Sequence, residues 1–347
     1  MKILVTGGSG FLGKRLVRRL LGGGNDVYCL VRPGSDTPSF RAAVTGDGPG
    51  RLHVVHGSLN RIDGAFDALA VAGCDTVIHA AAAMGGGAPV LFLNNVVALR
   101  EFLALLRRLP TPVRRFVHIS SLGIYGTDHL RRGDTLDETC PLDPKPHERD
   151  PYSYSKIAQE QVAWEAREQH GLPLVVIRPG VIYGPGRGCM SNRIGLRVGP
   201  LMVRMGGRQQ LPYTHVDNCA AAVALAASVD GIEAQAFNVL DDGLPQARRV
   251  LARYRGEVER LKVLPVPYWA ISPLSGACEW YHRWSEGQLP AVLTRYKSMA
   301  LWKRLKYSND KAKRVLGWAP QVAFDDGLRQ TLEWSRRQLE SQESRAA

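Results

Sequence analysis

Apolar residues gather along this chain in short runs bounded by Gly, Pro, Asp or Asn. Lys2–Thr6 (KILVT), Val27–Val31 (VYCLV), Leu52–His56 (LHVVH), Thr76–Ala80 (TVIHA), Arg115–Ile119 (RFVHI) and Leu174–Arg178 (LVVIR) have the length and continuous hydrophobicity of strands buried on both faces. Between them the spacing turns helical, from Gly13 to Leu21, over Leu93–Leu109 and over Tyr152–His170. Strands alternating with helices at this pace predict βαβ units: an α/β protein with a doubly wound parallel sheet and helices on both faces.

The pattern changes after about Tyr183. Residues 184–211 are rich in Gly and Arg and weakly periodic. Asp217–Ser228 is a compact helix, and Phe237–Leu240 (FNVL) is a strand expected to return to the main sheet. Residues 265–284 are rich in aromatics and proline, and two helical patterns split by Gly317-Trp318-Ala319-Pro320 close the chain. The expected organisation is a nucleotide-binding domain over 1–183, rejoined by 213–241. A smaller, discontinuous substrate lobe takes 184–212 and 242–335, and 336–347 is a tail.

Composition narrows the class. The chain has 347 residues, 45% hydrophobic and 22% charged, which is the profile of a globular protein and excludes disordered and fibrous classes. Two uncharged stretches, Asn218–Val229 and Val263–Cys278, are too short or too broken by proline to span a bilayer. Six scattered cysteines form no disulfide framework and no metal site, so a reducing, cytoplasmic setting is expected. A formal net charge of +13 favours anionic partners such as nucleotides. The basic residues follow no nucleic-acid-binding motif, and nucleic acid is not an expected partner.

Gly7-Gly8-Ser9-Gly10-Phe11-Leu12-Gly13 sits between the first strand and the first helix. Glycines here allow a tight turn and close approach of backbone to a pyrophosphate, and the helix N-terminus adds N–H groups and positive potential. At the end of the second strand, where a carboxylate would read the ribose 2′-hydroxyl, stands Arg32. Its charge and fork of donors suit a 2′-phosphate, so NADP(H) is favoured, with NAD(H) the other option.

The strongest chemical signal is Tyr152-Ser153-Tyr154-Ser155-Lys156. Tyr152 and Lys156 are four apart at the start of a helix and share a face. A phenol is a poor acid or base near its ordinary pKa of about 10, and a neighbouring ammonium brings it toward working pH. Tyr154 and Lys156 are two apart and point to different faces. A hydroxyl at the end of the fifth strand, Ser120 or Ser121, is placed to hold the substrate oxygen.

These motifs together resemble the extended short-chain dehydrogenase/reductase family, of the NAD-dependent epimerase/dehydratase type. The resemblance runs from Met1 to about Trp334. It rests on TGGSGFLG at 6–13, VIHAAA at 77–82, NNV at 94–96, HISSLGIYG at 118–126, YSYSK at 152–156, RPGVIYGPG at 178–186, HVDN at 215–218 and FNV at 237–239. It implies a Rossmann sheet with a C-terminal substrate lobe, and a catalytic set of Ser121, Tyr152 and Lys156. Ser121 is selected because the family's serine stands four residues before the Tyr-Gly pair, here Tyr125-Gly126. The resemblance also implies that Gly7, Gly10, Phe11, Leu12 and Gly13 hold the pyrophosphate, with Lys156 reaching the nicotinamide ribose. Ala80, Ala81 and Ala82 line the cofactor, Asn95 supports the site, and Pro179, Val181 and Ile182 contact the nicotinamide end. Ser58 and Leu59 stand where many members carry the Asp-Leu that binds adenine. Gly180 stands where nucleotide-sugar members often carry Asn.

The look of the chain is nearest to steroid-dehydrogenase-like and dihydroflavonol-reductase-like members. The leading expectation is therefore an oxidoreductase that reduces a ketone or aldehyde of a small, largely apolar substrate, or oxidises the alcohol. The alternative is a nucleotide-sugar epimerase with internally recycled NAD, for which Arg187, Arg193, Arg197, Arg204 and Arg208 offer diphosphate ligands. Residues 263–284 read as an apolar lid, as core of the lobe, or more weakly as a membrane-surface patch followed by the basic stretch Arg295 to Lys313. The prolines at 265, 267 and 273 argue against one continuous helix there. A homodimer through Leu93–Leu109 and Tyr152–His170 is the family's habit.

Overall fold

The computed structural model describes residues 1–46, 48–60, 73–284 and 302–346. The apolar runs become strands β1 (Lys2–Thr6), β2 (Asp26–Val31), β3 (Arg51–His56), β4 (Thr76–His79), β5 (Arg115–Ile119), β7 (Leu174–Pro179) and β12 (Gln235–Val239). The short β6 (Thr135–Leu136) lies outside their sheet. The seven pair in the order β12-β7-β5-β4-β1-β2-β3, all parallel. The order reverses beside β1, and the crevice at the C-terminal ends of the strands opens there, where α/β sheets bind their ligands.

Helices cover both faces because both faces are apolar. On one, α1 (Phe11–Gly22) and the later Val216–Ser228 pack on Ile3, Val5, Ile78, Val117 and Val175. A short α2 (Thr37–Val44) adds Phe40 and Val44. On the other face, α3 (Ala88–Leu106) and α4 (Pro151–His170) cover Leu4, Val77, Phe116 and Val176. Alternate residues of β1 serve opposite layers, as the period of two requires. Helix α3 has the length and apolar composition of a membrane span, and its Leu99, Phe102 and Leu106 fill this second core. Its turn Leu93–Val97 is π-helical, a rare form that recurs at functional sites.

Past β7 the chain leaves the sheet. β8 (Val181–Tyr183) pairs with β11 (Tyr213–His215), and β9 (Gly195–Val198), β10 (Leu201–Met205) and β13 (Lys262–Val266) form a separate small sheet. With α5 (Val216–Ser228) returning to the main body, α6 (Ala247–Glu257) packs in the lobe beside Tyr183, Ile194, Leu211 and Tyr213. Residues 263–284 are not one helix: the strand β13 holds Pro265, and α7 (Tyr268–Trp284) begins after Pro267, but Pro273 lies inside α7 without ending it. Proline removes one donor and its ring crowds the carbonyl four residues back, here that of Trp269. Along α7, Trp269, Trp280 and Trp284 are exposed, so these aromatics are not lobe core. The basic stretch from Arg295 begins outside the described residues. The chain ends with α8 (Asp310–Leu316) and α9 (Phe324–Ala346).

The hinge between sheet and lobe is tightly drawn. Gly180 N–H donates to Val239 O and to Thr214 Oγ1, both at 3.1 Å. A Cβ at position 180 would sit 2.0 Å from Pro212 O, and a backbone atom cannot yield cheaply. Gly180→Ala is expected to cost about 1–3 kcal/mol and lower the thermal midpoint by several degrees. An unchanged melting curve would contradict this packing.

Candidate active site

The glycine turn is built by close contacts. Gly7 has φ +72°, and Gly10 N–H donates to Gly7 O at 3.0 Å. A Cβ at Gly13 would lie 2.1 Å from Gly7 O, and one at Gly7 would lie 2.7 Å from the backbone of Ala80. So Gly7 and Gly13 are needed for the turn to fold and to lie against β4. Gly10 caps α1, which has no acidic residue in its first turn. Lys14, Arg15 and Arg18 line a cleft of ≈ 450 Å³ beside Ser9 and Gly10. A bare helix N-terminus in a basic cleft is a fit for a dinucleotide pyrophosphate. Phe11 turns to the lobe, where the Arg187 guanidinium lies 5.9 Å from its ring centroid.

Around this turn the expected cofactor positions converge. Thr6 Oγ1 accepts from Ala81 N–H at 3.4 Å, which joins the ends of β1 and β4. Asn95, in the π-helical turn, accepts from Ala83 N–H at 2.7 Å and donates to Ala83 O at 3.1 Å and to Ser155 Oγ at 3.0 Å. It thereby ties the Ala80–Ala82 strand end to α4. Ser58 follows β3 and accepts from Asn60 N–H at 3.4 Å, while Leu59 packs on the second core. Pro179 ends β7; Val181 packs toward the lobe and Ile182 toward the first core.

Arg32 follows β2 as an exposed side chain, its carbonyl accepting from Ser35 N–H at 3.1 Å in a turn that uses Gly34 at φ +79°. Asp36 accepts from Ser39 N–H at 3.0 Å as the cap of α2, and those hydrogen bonds hold its carboxyl below the usual range.

The Ser–Tyr–Lys set is assembled at the meeting of β5 and α4. Ser121 caps a 3₁₀ turn, Leu122–Ile124, by accepting from Gly123 N–H at 3.0 Å. Asp150 caps α4 by accepting from Ser153 N–H at 3.0 Å. Arg149 locks the two turns together: it donates to Gly123 O at 2.7 Å and to Asp143 at 3.0 Å. The Arg149 side chain thus ties the turn that follows Ser121 to the residue just before the Asp150 cap of α4. Ser120 Oγ is buried without a hydrogen-bond partner among the described residues.

Lys156 is 1% exposed, donates to Ile119 O at 2.7 Å and hydrogen-bonds to Gln159. Burial pushes its ammonium down to about 7, against a smaller raising effect of Glu160. Burial pushes the Tyr152 phenol up to about 12, with Arg187 the main opposing charge. The sequence suggests that Lys156 lowers the tyrosine. In the structure Lys156 is engaged by Ile119 O and Gln159, and Arg187 is the charge that opposes burial at the Tyr152 phenol. His79 and His118 stack beneath, 5.8 Å apart, and burial holds both below the ordinary range, His79 at about 3.

Sequence reasoning passed over what anchors α4. Arg178 on β7 donates to Glu160 Oε1 at 2.5 Å and to Tyr125 Oη at 2.6 Å, and Tyr125 donates to Asn238 at 2.8 Å. Trp164 Nε1 completes the shell of Glu160 at 3.0 Å. An arginine in an otherwise apolar strand, and a glutamate four residues past Lys156, were the available signals. Of the arginines expected to bind a diphosphate, Arg197 is engaged by Glu259 at 2.7 Å. Arg208 gathers with Arg132 and Arg248 around Arg304, where slight desolvation and those charges lower the Arg304 guanidinium.

The family model for the NAD dependent epimerase/dehydratase family matches residues 3–239. A sterol-4-alpha-carboxylate 3-dehydrogenase, decarboxylating, of Candida albicans is 27% identical over 356 residues, covering 97% of this chain and 98% of its own. A 2-alkyl-3-oxoalkanoate reductase of Stenotrophomonas maltophilia is 28% identical, covering 95% and 98%. The solved UDP-glucuronic acid 4-epimerase of Bacillus cereus in complex with NAD superposes with a TM-score of 0.70 at 20% identity, covering 98% and 99%. Other similar solved chains also hold NAD. The preference for NADP(H) read from Arg32 is thus corrected: the cofactor of the similar structures is NAD, and the Arg32 side chain is a solvent-exposed charge.

Removing either member of the Arg178–Glu160 pair leaves a buried charge alone. Glu160→Ala is expected to cost about 3–5 kcal/mol, and Glu160→Leu with Arg178→Met to recover most of it, by chemical denaturation. A single substitution costing less than about 1 kcal/mol would contradict the anchoring role.

Proposed function

The chain belongs to the NAD dependent epimerase/dehydratase family, and from that premise we propose that it catalyses NAD(H)-dependent hydride transfer at a carbinol or carbonyl carbon of a small molecule. What supports this reading is that Ser121 follows β5 and the glycine turn follows β1 at the same C-terminal edge of the parallel sheet, with Tyr152 and Lys156 in the first turns of α4. When bound, NAD supplies the hydride acceptor or donor. Gly7, Gly10 and Gly13 admit its pyrophosphate, and Thr6 and Asn95 hold the Ala80–Ala82 wall. Ser121 orients the substrate oxygen. Tyr152, protonated in its buried setting, donates to that oxygen in reduction and takes the proton back in oxidation. Arg187 favours the phenolate form against the raising effect of burial, and Lys156 supplies positive charge from the same helix as Tyr152.

For the substrate, support falls first on a nucleotide sugar, with oxidation and re-reduction in one site. Similar solved chains act on UDP-glucuronic acid or hold UDP-sugars with NAD, and a dTDP-glucose 4,6-dehydratase of Neisseria meningitidis is 25% identical over 362 residues. Arg187 and the Arg132, Arg208, Arg248 and Arg304 group supply charge suited to a diphosphate. A second reading, a dehydrogenase or ketoreductase of an apolar-bodied substrate, is favoured by Gly180. No side chain fits there to serve a sugar, and the sterol and 2-alkyl-3-oxoalkanoate relatives match over nearly their full length.

Tyr152→Phe is expected to lower turnover by about 10²–10⁴-fold with NAD affinity retained; wild-type turnover in that variant would overturn the proposal. Incubation with NAD⁺ and either UDP-sugars or 3-hydroxy acids separates the readings. Epimerised sugar without net NADH absorbance supports the first, and NADH formed one-for-one with a ketone supports the second.

A further inference from the structure

Gln159 is fully buried on α4, one turn beyond Lys156, on the side that faces the sheet. An amide there costs free energy unless both its ends are bonded. Both are. Its Oε1 hydrogen-bonds to Lys156 Nζ, and its Nε2 lies 3.4 Å from His79 Nε2. His79 Nδ1 lies 3.0 Å from Thr6 Oγ1, at the last residue before the glycine turn. The polarity of this chain follows from the donor inventory. An ammonium only donates, so the amide oxygen accepts and the amide nitrogen donates. The neutral His79 ring then accepts at Nε2 and carries its proton on Nδ1, toward Thr6.

The ammonium has few other means of support. Glu160, the nearest carboxylate on its own helix, is committed to Arg178 of β7. Tyr152 on the same helix is a neutral phenol, and the groups facing Lys156 from β4 and β5, His79 and His118, are neutral imidazoles. Besides Gln159, the described hydrogen-bond acceptor is the carbonyl of Ile119.

We infer that Gln159 is a positioning residue for Lys156: its amide clamps the ammonium to the His79–Thr6 edge of the cofactor cradle. This rests on the Tyr152–Lys156 reading above, but its first test needs no substrate. Lysine labelled with ¹³C at Cε reports the titration of Lys156 by NMR, its signal assigned by its loss in Lys156→Met. Gln159→Leu removes an acceptor of the charged form, so the Lys156 midpoint is expected to fall by about one pH unit, a tenfold change in its protonation equilibrium. Gln159→Glu adds a carboxylate, so the midpoint is expected to rise by a similar amount. Gln159→Met, which keeps the volume, replaces the leucine variant if that fails to fold.

With a substrate in hand, the limb of the activity profile that falls with rising pH should move with each midpoint. Midpoints unmoved in both directions, with the variants folded, would overturn the inference and leave the hydride-transfer reading intact. Full turnover in Tyr152→Phe would instead overturn that reading without touching the NMR result.

Discussion

The geometry of this molecule depends on one buried ion pair. Glu160 has no exposed side-chain surface and Arg178 only 7%, so neither charge has water to fall back on. Such a pair earns little net stability against an apolar equivalent, because desolvation offsets the Coulombic gain. What it does supply is register. Arg178 sits on β7, Glu160 on α4, and Tyr125 and Asn238 carry the network to the Ser121 turn and to β12. Hydrophobic packing fixes the distance between a helix and a sheet but resists sliding poorly. The directional bonds of the guanidinium prevent α4 from sliding, and Tyr152 and Lys156 ride on that helix.

From that fixed helix the site follows by short steps. The Asp150 cap and the Arg149 bridge set the start of α4 against Gly123, two residues past Ser121. Asn95 joins the same helix to the strand end at Ala83. On the far side, Gly180 brings β8 and the lobe to within bonding distance of Thr214 and Val239. Asp241, raised to about 6 by burial, accepts from His215 N–H and from Asn218, which seats β11 and α5 together. The cleft is a consequence of helix, hinge and glycine turn all being held by buried polar contacts, not by loops.

Much of this was legible in the chain. Continuous apolar runs gave the parallel sheet, and the glycine turn gave its own place because only a strand-to-helix junction demands Gly7 and Gly13. The spacing of Tyr152 and Lys156 showed that they share a helix. Other features were not legible, for physical reasons. A surface arginine and a phosphate-binding arginine are the same letter, so Arg32 misdirected the cofactor assignment. Which way a lysine points depends on its acceptors, and Gln159 and Ile119 draw Lys156 inward. Proline at 273 reads in sequence as a helix breaker, yet α7 runs through it, while Pro265 and Pro267 do lie before its start.

The account turns on NAD lying across the glycine turn with its nicotinamide end at Tyr152 and Lys156. A crystal structure of the protein grown with NAD⁺ tests this most directly. The account requires the pyrophosphate over Gly7–Gly13, the nicotinamide ribose within hydrogen-bonding reach of Lys156 Nζ, and nicotinamide C4 facing the space between Ser121 and Tyr152. A dinucleotide bound elsewhere, or with its nicotinamide turned away from Tyr152, would contradict it.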